Sequence, residues 1–317
     1  MKVGFTTTMP VEIIYAAGHT PVDLNNIFIT SAAVDYVEKA ENRGFPRNTC
    51  SWIKGIYTAV HEHGIDAIVA VTEGDCSNTR SLMSVFQEEN VRVIPFAFPI
   101  QLDRETLQRE ILQLTRALKT DEQEVMRIKK ELDKIRSDLI YLDELTFDQD
   151  KVTGKENHLW LVNSSDFNGN PEDYSHRLQK FLQEAVNRTR LSYQFRFAFL
   201  GVPPIFEDLY DFLMENGIHV VYNEIQRQFS MPYLEPDIVD QYLHYTYPYT
   251  IFERLQDIKP ELVRRNVDAV ISYSQAFCHR QIDNIVLRRH ISIPILLLEG
   301  DKPGKLDART KLRLESF

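Results

Sequence analysis

Cysteine is scarce in this chain: three in 317 residues, at positions 50, 76 and 278. So odd and small a number rules out a disulfide framework, and without any C-x-x-C pair it rules out a compact zinc knuckle. Long uncharged apolar runs are missing as well, and none approaches the ~20 residues needed to cross a bilayer. The opening MKVGFTTTMPVEII has neither the apolar core nor the small-residue cleavage site of a secretory signal, so a cytoplasmic protein with no membrane partner is expected. Positive charge is short: 36 Lys and Arg stand against 46 Asp and Glu, a net −10, with no basic stripe for nucleic acid. Phosphate-cradling glycines are absent too. No G-x-G-x-x-G occurs, and GDKPGK (300–305) lacks the G-x-x-x-x-G-K-[ST] frame, so the chain itself is not expected to bind ATP. His61 and His63 in AVHEHG lack the spacing of a zinc-protease helix.

What is present is an ordinary globular composition, 43% hydrophobic and 26% charged, in a chain long enough for two lobes. The fold expected is α/β, two lobes with parallel sheets and a helical insertion between them, over 1–101, 102–157 and 158–317. In the first lobe KVGFTT (2–7), TPVDL (20–24), DAIVAVTEG (66–74) and VRVIPFAFP (91–99) read as strands. The third is apolar almost throughout, as a parallel strand covered on both faces should be. Helices are expected at PVEIIYAAG (10–18), TCSWIKGIYTAVHEHG (49–64) and CSNTRSLMSVFQEEN (76–90). From Asp103 to about Leu145 the chain is rich in Glu, Lys, Arg, Gln and Leu without Pro or Gly. This stretch reads as one helix or a helical pair, a solvated arm by default. HLWLVNS (158–164), RFAFLGV (196–202), HVVYNE (219–224), DAVISYS (268–274) and IPILLLEG (293–300) read as the strands of the second lobe, with a helix at EDLYDFLMENG (207–217).

In open parallel sheets ligands sit beyond the carboxyl ends of the strands, which directs attention to the strand-to-helix joints. All three cysteines fall at such joints, at or near helix starts where the dipole favours a thiolate. A single cysteine there reads as a small buried hydrophobe; three at equivalent places admit a shared site across a cleft. Three thiolates without an evident fourth protein ligand suit an iron–sulfur cube with one open iron. His279, next to Cys278, is a fourth-ligand candidate whose adjacency to a helical ligand points it elsewhere. Glu73 and Asp75 flank Cys76, where they would hold the loop or tune a metal group. Glu12, Glu299 and Asp301 are carboxylates with a possible part in proton handling; first-turn dipole chemistry is the plain alternative for Glu12. Arg280, Arg288 and Arg289 are candidates for the phosphates of an anionic cofactor, or ordinary helix-end cations. Tyr245, Tyr247 and Tyr249 would wall a pocket or pack a core.

MPVEIIYAAGHTPVDL (9–24), CSWIKGI (50–56), GDCSNTRSLMSVF (74–86), AVISYSQAFCHRQIDNIVLRR (269–289) and the closing IPILLLEGDKPGKLDARTKLRLESF resemble, in order, segments of the 2-hydroxyacyl-CoA dehydratase and benzoyl-CoA reductase superfamily. The resemblance implies two flavodoxin-like (Rossmann-like) lobes and an iron–sulfur cluster, [4Fe-4S], held in the cleft by Cys50, Cys76 and Cys278. It implies a homodimer or heterodimer fed single electrons by an ATP-hydrolysing iron–sulfur activator. The substrate would be a CoA thioester whose carbonyl oxygen meets the open iron, so that one electron drives loss of hydroxide from the neighbouring carbon. Two departures stand out: the chain is short for a dehydratase subunit, and the segment matching HYTYPYTIFERLQ (244–256) lacks the further cysteine many members carry. The superfamily also contains double-cubane reductases of small molecules, which the same three cysteines would serve. From another class, a cluster-free two-lobed binding protein would keep the fold, though such a protein would be expected to have lost at least one cysteine.

Overall fold

Eight strands form two parallel sheets in the structure, a computed structural model that describes residues 1–30 and 33–317. The first sheet contains β1 (Lys2–Phe5), β2 (Thr20–Asp23), β3 (Ala67–Glu73) and β4 (Val93–Ala97), in the order β2-β1-β3-β4. The second contains β5 (Phe195–Leu200), β6 (Ile218–Asn223), β7 (Ala269–Gln275) and β8 (Ile295–Gly300), in the order β6-β5-β7-β8. The two lobes therefore repeat one topology, that of the first four strands of a flavodoxin-like sheet, although no residue-level repeat is visible in the sequence. Sequence and structure agree on why the strands are strands. β7 is buried at every position, and β3 at its first five, because helices cover both faces.

In each lobe the order reverses beside the first strand, between β1 and β3 and between β5 and β7. Ligands collect at such switch points. Cys76 lies three residues past the end of β3 at Glu73, and Cys278 three residues past the end of β7 at Gln275. The two thiols thus occupy the same place in the two lobes.

The insertion differs from the solvated arm expected of it. It is a pair of helices, Arg104–Ala117 and Glu122–Phe147, with Asp103 and Asp121 each accepting the backbone N–H three residues on. Val125, Leu132, Ile135, Leu139 and Leu142 recur at helical spacing and lie buried in the main core, so one face of the longer helix is a structural wall.

HLWLVNS is the other correction: all but its last residue is helix, not strand, within Gly154–Asn163. A capping box decides it. The Thr153 hydroxyl accepts the Glu156 N–H, while the Glu156 carboxylate accepts the Thr153 N–H. A second helix, Pro171–Ala185, follows before β5 begins. Among the described residues no helix is long and apolar enough to cross a membrane.

Candidate functional site

Each cysteine is placed by a strand end or a helix start. Cys50 caps the helix Ser51–Glu62, Cys76 precedes the helix Asn78–Glu88, and Cys278 precedes a single 3-10 turn over His279–Ile282 and the helix Asp283–His290. All three side chains line one cavity of about 140 Å³, with Thr6, Thr7 and Thr8 at the end of β1, Asp75, Tyr247 and Gln275 among its other walls. Residues 202–204, just past β5, close the second-lobe side. Sequence-distant thiols from both lobes therefore face the same space.

Further contacts hold those segments in place. Ser51 Oγ and Gln275 Nε2 both donate to the Asp301 carbonyl oxygen, each at 2.7 Å, which ties the start of the Cys50 helix to the end of β7. Asp301 thus joins the two segments through its backbone carbonyl. Arg280 lies over the Tyr247 ring at 4.7 Å and donates to the carbonyls of Tyr247, at 2.7 Å, and of Gly74, at 3.4 Å. It joins the Cys278 segment to the loop carrying Cys76, and its side chain is only 14% exposed. The Tyr247 hydroxyl in turn donates to Asp75 at 3.3 Å.

The electrostatics qualify the expectation of ready thiolates. Burial pushes the Cys50 thiol up to about 11, Cys76 up to about 12, and Cys278 up as well. The backbone N–H groups two residues on, of Trp52, Asn78 and Arg280, pull each thiol the other way and are outweighed. Burial likewise raises Asp75 to about 6, against the opposing pull of Arg280. The helix-start position is real at all three sites; desolvation is the larger effect. Among the described residues no three His, Cys, Asp or Glu side chains come close enough to share a single metal ion.

The other sequence candidates lie elsewhere. Glu12 is fully buried and does not line the cavity: it pairs with Arg136 at 2.8 Å and accepts from Gln241 at 3.1 Å and Tyr242 at 2.9 Å. Glu299 is exposed and accepts from Gln281 Nε2 at 3.2 Å, outside the cavity lining. His279 is exposed and also outside the lining, as its adjacency to Cys278 implied. Glu73 pairs with Arg80 on the surface. Arg280 is committed to carbonyls and a ring, while Arg288 and Arg289 are exposed at a helix end. Of the three tyrosines, Tyr247 walls the cavity and Tyr245 and Tyr249 pack the core.

Sequence reasoning did not find Trp52, His158, Pro203, Pro204 or Phe229, all on the cavity wall. His158 was hidden because its segment reads as a strand; the TGKE capping signature at 153–156 was the available clue. Trp52 Nε1 and His158 Nδ1 are shut from solvent with no hydrogen-bond partner among the described residues. No curated protein matches the chain. Residues 6–317 match the family model described as 2-hydroxyglutaryl-CoA dehydratase, D-component.

Proposed function

The chain belongs to the 2-hydroxyglutaryl-CoA dehydratase D-component family, and on that premise we propose that Cys50, Cys76 and Cys278 hold an iron–sulfur cluster at which a 2-hydroxyacyl-CoA is dehydrated. The observation that carries this reading is the convergence of three thiols, two of them at equivalent strand ends of repeated lobes, on one cavity. The donor set fits the group. Thiolates are the ligands iron–sulfur clusters use, and three of them leave one position open. When bound, a cluster supplies single electrons and an open iron for a substrate oxygen, the first of which zinc cannot give.

The protein's own part is placement and shielding. The Asp301 carbonyl fixes Cys50 against β7, and Arg280 fixes the Cys76 loop against the Cys278 segment, so the three sulfurs are held before any metal arrives. Burial favours the protonated thiols, so metal binding displaces three protons. The apolar wall of Ile53, Ile56, Val202 and Phe229 keeps water from the space beside them. In this reading a second subunit completes the enzyme, and an ATP-hydrolysing activator delivers the electrons. The reaction class makes the enzyme a lyase of the dehydratase type.

Iron and acid-labile sulfide per chain, measured on anaerobically purified protein beside Cys76→Ser, test it. About four irons per chain, lost or disturbed in the variant, are expected. EPR of the reduced protein would then separate an isolated cube from a bridged pair. Folded protein that takes up no iron after reconstitution would overturn the reading.

A further inference from the structure

Arg280 differs from the other arginines that the fold withdraws from water. Arg136, Arg227, Arg254 and Arg265 are buried, and each meets a carboxylate at 2.7–2.9 Å: Glu12, Asp257, Glu224 and Glu261 respectively. Arg196, with a side chain 16% exposed, meets Asp150 at 3.0 Å. A buried guanidinium needs such a partner, because a charge taken out of water without a countercharge is costly. Arg280 is only 14% exposed, yet among the described residues no carboxylate lies as close to it. Its guanidinium donates to the carbonyl oxygens of Tyr247 and Gly74, which carry no net charge, and lies over the Tyr247 ring. Asp283 stands 4.0 Å away and is also engaged by Arg254, at 3.3 Å. Asp75 accepts from the Tyr247 hydroxyl at 3.3 Å. The positive charge of Arg280 is therefore left largely uncompensated.

The position of that charge gives it a use. Arg280 is two residues past Cys278, and both line a second, small chamber of about 20 Å³. The same guanidinium reaches the Gly74 carbonyl, two residues before Cys76. It thus stands between the segments that carry two of the three cysteines. The lining of the cysteine cavity itself includes no Lys or Arg. Three thiolates bring negative charge to whatever they hold, and one-electron reduction adds one charge more. We propose that Arg280 is the countercharge of the group the cysteines hold, and that its charge favours the reduced form. The electron comes from a low-potential one-electron donor, and no bond is made or broken in the transfer. This inference rests on the cluster reading and adds to it: Arg280 tunes the bound group as well as tying two loops together.

An EPR-monitored redox titration of the anaerobically reconstituted full chain tests it, with Arg280→Gln and Arg280→Lys beside the wild type. Arg280→Gln should make reduction about tenfold less favourable, a fall of about 59 mV for a one-electron couple. Arg280→Lys keeps the charge but loses the planar fork, and should hold most of the wild-type potential. A tie that acts only by geometry would leave the two variants alike. An unchanged potential in Arg280→Gln, or an equal shift in both variants, would overturn the inference and leave the cluster reading standing. If Arg280→Gln takes up too little iron to titrate, iron per chain becomes the readout. Arg280→Lys should then load as the wild type does, and two equally empty variants would overturn the inference. A wild type that takes up no iron would overturn the cluster reading, and the inference with it.

Discussion

At the residue scale, Cys76 and His158 show how environment decides what a side chain does. The helix start favours a thiolate at Cys76, yet burial is the larger effect and holds the thiol up at about 12. His158 shows the same desolvation with the opposite sign. Its ring stacks on Tyr210 at 4.8 Å with Nδ1 closed off, and burial lowers its pKa to about 3. A base whose folded pKa lies below its unfolded value binds fewer protons folded than unfolded as pH falls below about 6.5. Its contribution to stability is therefore lost from about pH 6.5 downward. Between pH 7 and pH 5 the wild-type protein should give up about 1–2 kcal/mol that His158→Phe retains, read as the difference in their urea midpoints at the two pH values. Equal losses in the two proteins would show that the imidazole is free to charge.

At the element scale, the β3-to-helix joint depends on Gly74. Its φ of +86° is a conformation L side chains rarely adopt, and a Cβ there would stand 2.6 Å from Pro248 Cβ and 2.9 Å from Phe98 Cβ. Gly74→Ala should cost about 2 kcal/mol or more, measured by urea unfolding, and should lower iron retention because Cys76 is two residues on. The buried pair of Glu12 and Arg136 joins the first helix of lobe one to the long insertion helix. Glu12→Gln leaves a buried guanidinium short of its countercharge, Asp133 remaining as a second partner at 3.0 Å. A loss of about 3 kcal/mol in unfolding free energy is expected. Much of this scale was legible in the chain. The apolar runs of β3 and β7 and the spacing of the helices beside them specify those elements locally. HLWLVNS deceived because a short apolar run fits strand and helix alike, and the deciding signal, TGKE, lies just upstream of it.

At the scale of the whole molecule, the two lobes share buried apolar clusters, and polar ties join them around the cavity. Arg280 carries one of them, from the second lobe to the Gly74 carbonyl of the first. Arg280→Gln should cost about 1–3 kcal/mol and should speed amide hydrogen exchange over residues 74–79, next to Cys76. Unchanged exchange there would mean that the loop is held by its own lobe alone. The insertion belongs to this scale as well. Its composition suits a solvated arm, and only the tertiary packing reveals that one face of it lies in the main core.

By itself the sequence determined the local features: parallel strands from continuous apolar runs, helix starts and stops, and three cysteines at strand-to-helix joints. These depend on near neighbours in the chain, where spacing and capping act directly. The tertiary structure decided what spacing does not encode. It brought Cys50, Cys76 and Cys278 to one cavity, withdrew Glu12 into a buried ion pair, and left Glu299 on the surface. It also set which side chains line that cavity, since what faces a cleft follows from how the lobes pack rather than from the order of residues.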